Sequence, residues 1–346
     1  MKILFLPNWR VAFLESDNPK IQAPDKYVKD KPYWFFQHFN MPCEVDVIDI
    51  QQGNPLSLLE RKCNTYLWQG IKAFFNDSKY DLVISHGAQS GLMYSLLRTL
   101  SFRKRPKHVI FDIGGMNGGR NNRYENFLIN LALQSKPYIV CHSRVIIENY
   151  KKNYKSLVDR SCFIPFGVDV DDFLPRDSTD QNYILSFGAS KRDYPTLLSA
   201  WAGIDTDIKL RLIGYIGDVS LLNVETVAKV SIEELRNQIA KALFVVIPLP
   251  VFNYSYGQMS FLQSMSMGKT VIVTLTPSSI DYLQDGEGSL FVKPYDVDDM
   301  KLKIKMLIND PQLLENLNGK ARQYVVKNNS EKNMAIEIER FIESCV

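Results

Sequence analysis

The stretch Tyr254–Thr274, YSYGQMSFLQSMSMGKTVIVT, sets the fold class. Gly257 opens a helix whose apolar side carries Met259, Leu262 and Met265 at helical spacing. Gly268 ends it, because glycine takes the left-handed cap conformation without a Cβ penalty. Val271, Ile272 and Val273 then read as a buried strand of a parallel sheet. A helix opened by glycine also leaves backbone N–H groups that can meet an anion.

Outward from this stretch the same alternation continues. Strands are expected over Lys2–Leu6, Glu44–Ile50, Asp81–Ser85, His108–Phe111, Tyr138–Cys141 and Cys162–Pro165. A second series covers Tyr183–Phe187, Lys209–Ile213, Phe244–Pro248, Val271–Thr274 and Ser289–Val292. Helical patterns fill the gaps, among them Pro32–Phe39, Leu58–Phe75, Leu92–Leu100, Tyr124–Leu133 and Arg144–Lys152. This predicts an α/β protein of βαβ units with two parallel sheets. The acidic, aperiodic segment from Phe166 to Asp180 is the expected boundary. Domains are therefore expected over 1–167 and 168–329, with 330–346 as a serine-capped helix packing back across the first domain. Two such sheets facing each other leave a cleft at the C-terminal ends of their strands, where ligands bind.

Composition narrows the classes. The net charge of +3 over 346 residues offers no strong field for nucleic acid. Five cysteines without CxxC spacing argue against a disulfide framework or a zinc site and for a reducing, cytoplasmic compartment. No window reaches the length of apolar residues that a membrane span needs. The dinucleotide and P-loop glycine patterns, HExxH and GxSxG are all absent, and the four histidines have no ligand spacing. No metal and no cofactor are expected.

Chemistry is then sought at strand ends. His86, in SHGAQSG, follows the third strand, and Asp112, in DIGGMNGGR, follows the fourth. Both are candidate catalytic groups. Asp112 would stabilise positive charge at a reacting carbon, and His86 would orient an acceptor or take its proton, its ordinary pKa lying near neutrality. In FGASKRDYP, Gly188 allows close backbone approach, while Lys191 and Arg192 suit a diphosphate. Gly214 ends the next strand, and Ser231-Ile232-Glu233-Glu234 is a capping box.

The order of IPFGVDVDDF, YILSFGASKRDYPTLLSAW, LRLIGYIG, VSIEELRNQIAKALFVVIPL, GQMSFLQSMSMGKTVIVT and DYLQDGEGSLFVKPYDVDDM resembles the nucleotide-sugar domain of retaining family 4 glycosyltransferases of the GT-B fold. The likeness covers about residues 138 to 330. It implies two Rossmann-like domains facing across a cleft, and metal-independent transfer of a sugar from a nucleotide-diphosphate sugar to an acceptor hydroxyl. It further implies a donor site of Gly188, Lys191, Arg192, Gly214, Tyr256, Gly257, Gln258 and Gln263. The family's ribose-binding glutamate falls on Gln263 and its first glutamate near Ser255 to Gly257. Its arginine after the strand glycine falls on Ala189, and its first-domain histidine on Asp112. The implied acceptor is a glycan or a lipid-linked sugar of a bacterial surface polysaccharide or glycoconjugate. The alternative is a non-catalytic subunit that binds a nucleotide sugar or a partner transferase.

Two basic stretches bear on the acceptor. The loop of Lys20, Lys26, Lys29 and Lys31 leads into Tyr33-Trp34-Phe35-Phe36, and a second stretch runs from Phe102 to His108. Together they form either a face for an anionic membrane or an aromatic core with a solvated rim.

Overall fold

The computed structural model describes residues 1–51, 53–63, 65–102, 106–116, 123–177 and 182–345. The chain divides into two compact units. One comprises Met1–Pro165, Asn253–Ser255 and Met334–Val346, and the other Phe166–Phe252 and Tyr256–Asn333.

In the first unit the strands are β1 (Lys2–Leu6), β2 (Ala12–Leu14), β3 (Lys26–Val28), β4 (Glu44–Val47), β5 (Leu82–His86), β6 (Lys107–Asp112), β7 (Tyr138–Cys141) and β8 (Ser161–Phe163). Six of them form a parallel sheet in the order β4-β1-β5-β6-β7-β8. Their apolar runs are buried on both faces, as in Ile3–Leu6 and Leu82–Ile84. That is the reason they read as continuous rather than alternating hydrophobic segments. β2 and β3 make a separate parallel pair in what the sequence reads as a long loop.

Two segments differ from the expected single helices. The pattern Leu58–Phe75 forms two helices, Ser57–Cys63 and Leu67–Asn76. The Glu60 carboxylate stands at the break and accepts from the Trp68 amide at 2.8 Å. Pro32–Phe39 becomes a 3₁₀ segment, Trp34–His38. Trp34, Phe35 and Phe36 are all buried, and three successive inward side chains do not suit the one-sided stripe of a surface α-helix. These rings pack around Phe5 and Trp9, so the aromatic stretch is core. Three of the lysines before it are paired: Lys26 with Asp17 at 2.6 Å, Lys29 with Glu15 at 3.3 Å and Lys31 with Asp17 at 3.7 Å. The first basic stretch is thus no cationic face. Of the second, Arg103–Arg105 lie outside the described residues.

Ser330 begins the final helix, Glu331–Cys345, its hydroxyl accepting from the Asn333 amide at 3.2 Å. From Met334 onward this helix belongs to the first unit. There the buried Glu339 carboxylate accepts from the Met41 amide at 2.6 Å and from Asn40 Nδ2 at 3.0 Å.

The second unit holds β9 (Tyr183–Phe187), β10 (Lys209–Ile213), β11 (Val224–Val227), β12 (Val245–Ile247), β13 (Val271–Thr274) and β14 (Ser289–Val292). All are parallel, in the order β11-β10-β9-β12-β13-β14. Ile184, Leu210, Leu212, Val246 and Ile272 join Trp201, Met300 and Leu317 in its core. The two glycines of the opening stretch act as expected: Gly257 caps the helix Gln258–Ser266 at φ +80°, and Gly268 follows it at φ +75°. Ser231 accepts from the Glu234 amide, as the capping box predicts.

Candidate functional site

In an open parallel sheet, the place where the strand order reverses leaves two loops diverging at the C-terminal edge. In the first unit this place lies between β1 and β5, and in the second between β9 and β12. The candidate residues are best judged against these two positions.

At the first, Asn8 follows β1 and His86 ends β5. Asn8 Oδ1 lies 3.2 Å from His86 Nδ1. If that oxygen accepts, Nδ1 carries the proton and Nε2 presents a lone pair. Nε2 is buried and has no hydrogen-bond partner among the described residues. The imidazole sits among aromatic rings, with centroid distances of 4.7 Å to Trp9 and 6.0 Å to Trp34 and Phe111. Burial, reinforced by His142 with its ring 6.5 Å away, pushes the pKa of His86 down to about 3. His86 is therefore neutral near pH 7, not a base poised near neutrality as its ordinary pKa suggests. Asn8 was not anticipated; its position two residues beyond the end of β1 is the signal that marks it.

Asp112 requires a larger correction. It is fully buried, and both carboxylate oxygens are engaged within its own unit. Oδ1 accepts from the Gly114 and Gly115 amides at 2.9 Å each, and Oδ2 accepts from the Tyr150 hydroxyl. Burial raises its pKa above the ordinary carboxylate range against the opposing pull of these bonds. A side chain so enclosed shapes the loop that leaves β6. It presents no oxygen to a sugar. Residues 117–120 of that glycine-dense loop lie outside the described residues.

The buried histidines give the fold a pH signature. Burial pushes the pKa of His142 down to about 4 and that of His86 to about 3, against an ordinary value near 6.5. Depressed folded-state values mean that the stability they contribute is complete above about pH 6.5 and is lost as the pH falls towards 4 and 3. His108, likewise buried and beside Arg98, is pushed well below its ordinary value. Between pH 7 and pH 5 the three histidines are therefore expected to remove about 6 kcal/mol from the unfolding free energy, with close to three extra protons taken up on unfolding. Urea melts at the two pH values measure this, and equal unfolding free energies at both would refute it.

At the second position β9 ends at Phe187 and the chain turns through Gly188, whose φ of +127° favours glycine. A Cβ on Gly188 would lie 2.6 Å from the Arg192 guanidinium, so the absence of a side chain lets that group lie against the turn. Arg192 commits four of its five N–H donors there. Nε donates to Phe187 O at 3.0 Å, and one terminal nitrogen to Ser190 O at 3.3 Å and Lys191 O at 3.2 Å. The other donates to Ser260 Oγ at 2.7 Å, on the first turn of the helix Gln258–Ser266. Arg192 thus fastens the Gly188–Lys191 turn to the helix entrance and retains one donor. Lys191 is exposed and held in left-handed backbone at φ +55°. Ser260 is a partner that sequence reasoning passed over.

Around this entrance, Gly214 ends β10 at φ +82° with Ala189 beside it. Tyr256 is buried with its ring 5.1 Å from Phe252. Gln258 Oε1 is buried with no hydrogen-bond partner among the described residues, and Gln263 is buried further along the same helix. Gly257 supplies no capping side chain. The second unit thus brings a positive charge, an uncapped helix entrance and the Gly188 turn to one sheet edge. An anionic, phosphate-bearing ligand suits that arrangement.

Comparison with known proteins agrees in kind. Residues 182–310 match the family described as Glycosyl transferases group 1. The uncharacterized glycosyltransferase MJ1178 of Methanocaldococcus jannaschii is 23% identical over 223 residues, a match that covers 62% of this chain and 61% of that protein. The chain therefore matches less than two thirds of the length of this relative. Among solved structures, Anabaena Alr3699/HepE in complex with UDP superposes with a TM-score of 0.69 at 15% identity, covering 99% of this chain and 100% of that one. Sucrose-phosphate synthase from Thermosynechococcus elongatus gives a TM-score of 0.70 at 15% identity, covering 99% of each chain. Identities this low establish a shared fold.

Proposed function

We propose that this chain, whose residues 182–310 match the family of group 1 glycosyl transferases, moves a sugar from a nucleotide-diphosphate sugar to an acceptor hydroxyl. Its fold is α/β with two parallel-sheet domains of the GT-B class. The observation that carries the reading is the anchoring of Arg192 between the Gly188 turn and Ser260, which fixes a cation beside the open entrance of the helix Gln258–Ser266. Cleavage of a sugar–diphosphate bond builds negative charge on the leaving group, and fixed cations with helix N–H donors stabilise it. Lys191 is the exposed cation that meets the diphosphate, and Gln263 the group offered to the ribose. Structures of the HepE neighbour with UDP and with UDP-glucose support a uridine donor.

In the first unit His86 receives an acceptor hydroxyl as a hydrogen bond at Nε2. The acceptor is a glycan or lipid-linked sugar of a surface polysaccharide, and transfer retains the anomeric configuration without a metal. The family's two glutamates are replaced by Gln263 and the Ser255–Gly257 segment, and Asp112 is enclosed. That combination favours a second reading, a subunit that binds the nucleotide sugar without turning it over. Transfer of labelled sugar from UDP-glucose separates the two. Calorimetric titration with UDP tests the site common to both. Lys191→Ala is expected to weaken UDP about tenfold or more, the loss of one charge-assisted contact, with the melting temperature unchanged. Unaltered affinity for UDP, GDP and ADP alike would remove Lys191 from the site.

A further inference from the structure

A cavity of about 430 Å³ lies in the first unit, away from both sheet reversals. It is bounded by Arg98, Phe102, Lys107, Lys136, Tyr138 and Arg160, among other residues. Lys107 begins β6, Tyr138 begins β7 and Arg160 directly precedes β8. The cavity therefore opens at the N-terminal edge of the sheet. His86 and Asp112 end their strands at the opposite edge, a strand length of about 17–20 Å away. Catalytic sites of open α/β sheets occupy the C-terminal edge, so this cavity is no part of the donor or acceptor chemistry proposed above.

Its charge is one-sided. No aspartate or glutamate is among the described residues that line it. Lys107, Lys136 and Arg160 form no ion pair among the described residues, whereas the lysines of the first loop are paired. Arg160 stacks on the Tyr138 ring at 3.9 Å, and Lys107 lies 5.9 Å from the same ring. Arg160 is also held by the carbonyls of Lys136 at 2.8 Å and Pro137 at 3.3 Å. Arg98, also lining the cavity, is 3% exposed and has the Asp77 carboxylate as an electrostatic partner, so the unpaired positive charge is that of Lys107, Lys136 and Arg160. A cleft lined by one sign of charge concentrates the field on a counter-ion.

The backbone gives an independent indication. The helices Ala88–Leu100 and Arg123–Leu133 each give way to a residue in the left-handed region, Phe102 at φ +56° and Lys136 at φ +55°. Glycine is the residue favoured at such helix ends, and any other side chain there is strained. Both strained residues line this one cavity, and Phe102 is 90% exposed at its mouth. Strain kept at two neighbouring positions points to a use for the side chains.

We propose that this cavity binds a phosphate-bearing group, held by Lys107, Lys136 and Arg160, at a site separate from that of the sugar donor. Phosphate suits it because its oxygens accept from several cations at once, and Arg160 offers a planar donor set. The group belongs either to a lipid head, with Phe102 entering the surrounding apolar layer, or to a soluble phosphate compound.

The test uses the full chain with inorganic pyrophosphate, and with vesicles of phosphatidylcholine alone or mixed with phosphatidylglycerol. Lys107→Gln/Lys136→Gly is the variant, since glycine at 136 relieves the left-handed strain and preserves or raises the melting temperature. Pyrophosphate affinity is expected to fall at least tenfold in this variant and to hold in Lys191→Ala for the cavity's share of binding. Sedimentation with the anionic vesicles only, abolished by pyrophosphate and by the double substitution, would assign the lipid head. Pyrophosphate binding lost in the variant, without vesicle retention, would assign a soluble ligand. If neither probe binds, or the double substitution changes neither, the proposal is overturned. Loss of UDP binding in Lys191→Ala reports on the donor site alone, so the two readings fail separately.

Discussion

Replacing Arg192 by alanine is expected to weaken UDP at least a hundredfold and to destabilise the second unit by about 3 kcal/mol. The size follows from what the guanidinium holds. It bridges three carbonyls, of Phe187, Ser190 and Lys191, to Ser260 Oγ on the helix Gln258–Ser266. Truncation leaves those carbonyls without their donor in a partly enclosed turn, and bonds to a charged group are worth about 1.5–3 kcal/mol each before non-additivity. The turn also contains Lys191, whose φ of +55° is unfavourable for a side chain. Without Arg192 that conformation has lost its brace, and Lys191 is displaced from the site along with the guanidinium. Arg192→Lys is expected to restore little, because one ammonium cannot span the directions served by a planar fork. Urea melts with UDP calorimetry on both variants measure the two effects. A full rescue by lysine would show that charge alone matters and would sink the bracing role.

Much of the architecture is legible in the chain because a parallel sheet buried on both faces writes its strands as continuous apolar runs. Tyr183–Phe187, Lys209–Ile213, Val271–Thr274 and Ser289–Val292 are found where those runs lie. The missed strands, Ala12–Leu14, Lys26–Val28 and Val224–Val227, are short and only partly buried, so no run marks them. The site is legible only as a set of positions. Strand-end placement finds His86, Gly188, Lys191 and Arg192, but it cannot tell whether a polar atom is open to a ligand or already used. Asp112 and Arg192 have the right chemistry and sit at the right ends. Yet Tyr150, 38 residues away in the chain, closes the first, and Ser260, 68 residues away, engages the second. Such long-range partners leave no local trace. His86 shows the same limit in electrostatics: its depressed pKa comes from burial among rings and from His142, brought near by β7 and not by sequence.

Gly257→Ala is expected to cost the second unit about 2–3 kcal/mol and UDP at least tenfold in affinity, and the two losses have separable causes. The first cause is conformational. At φ +80° and ψ −13° an L-residue is in the left-handed region, at a cost of about 1–2 kcal/mol. The second is steric. A Cβ at 257 would meet the Leu249 methyls at 2.7 and 3.1 Å. Leu249 is fully buried, and its amide donates to Thr274 Oγ1 at 2.8 Å, so the side chain has little room to yield. Relief must come from the start of the helix Gln258–Ser266, the segment that would present its N–H groups to the diphosphate. Gly286→Ala provides the control: its φ is +81° and nothing lies within 4 Å of the added Cβ. That variant is expected to show the conformational cost alone, about 1–2 kcal/mol, with UDP affinity intact. The excess loss in Gly257→Ala then measures the displacement of the helix entrance, read as the difference between the two melts and confirmed by the two titrations. Equal stability losses with unchanged UDP binding in both variants would show that the entrance does not meet the nucleotide, and the donor would have to be sought elsewhere on the second sheet.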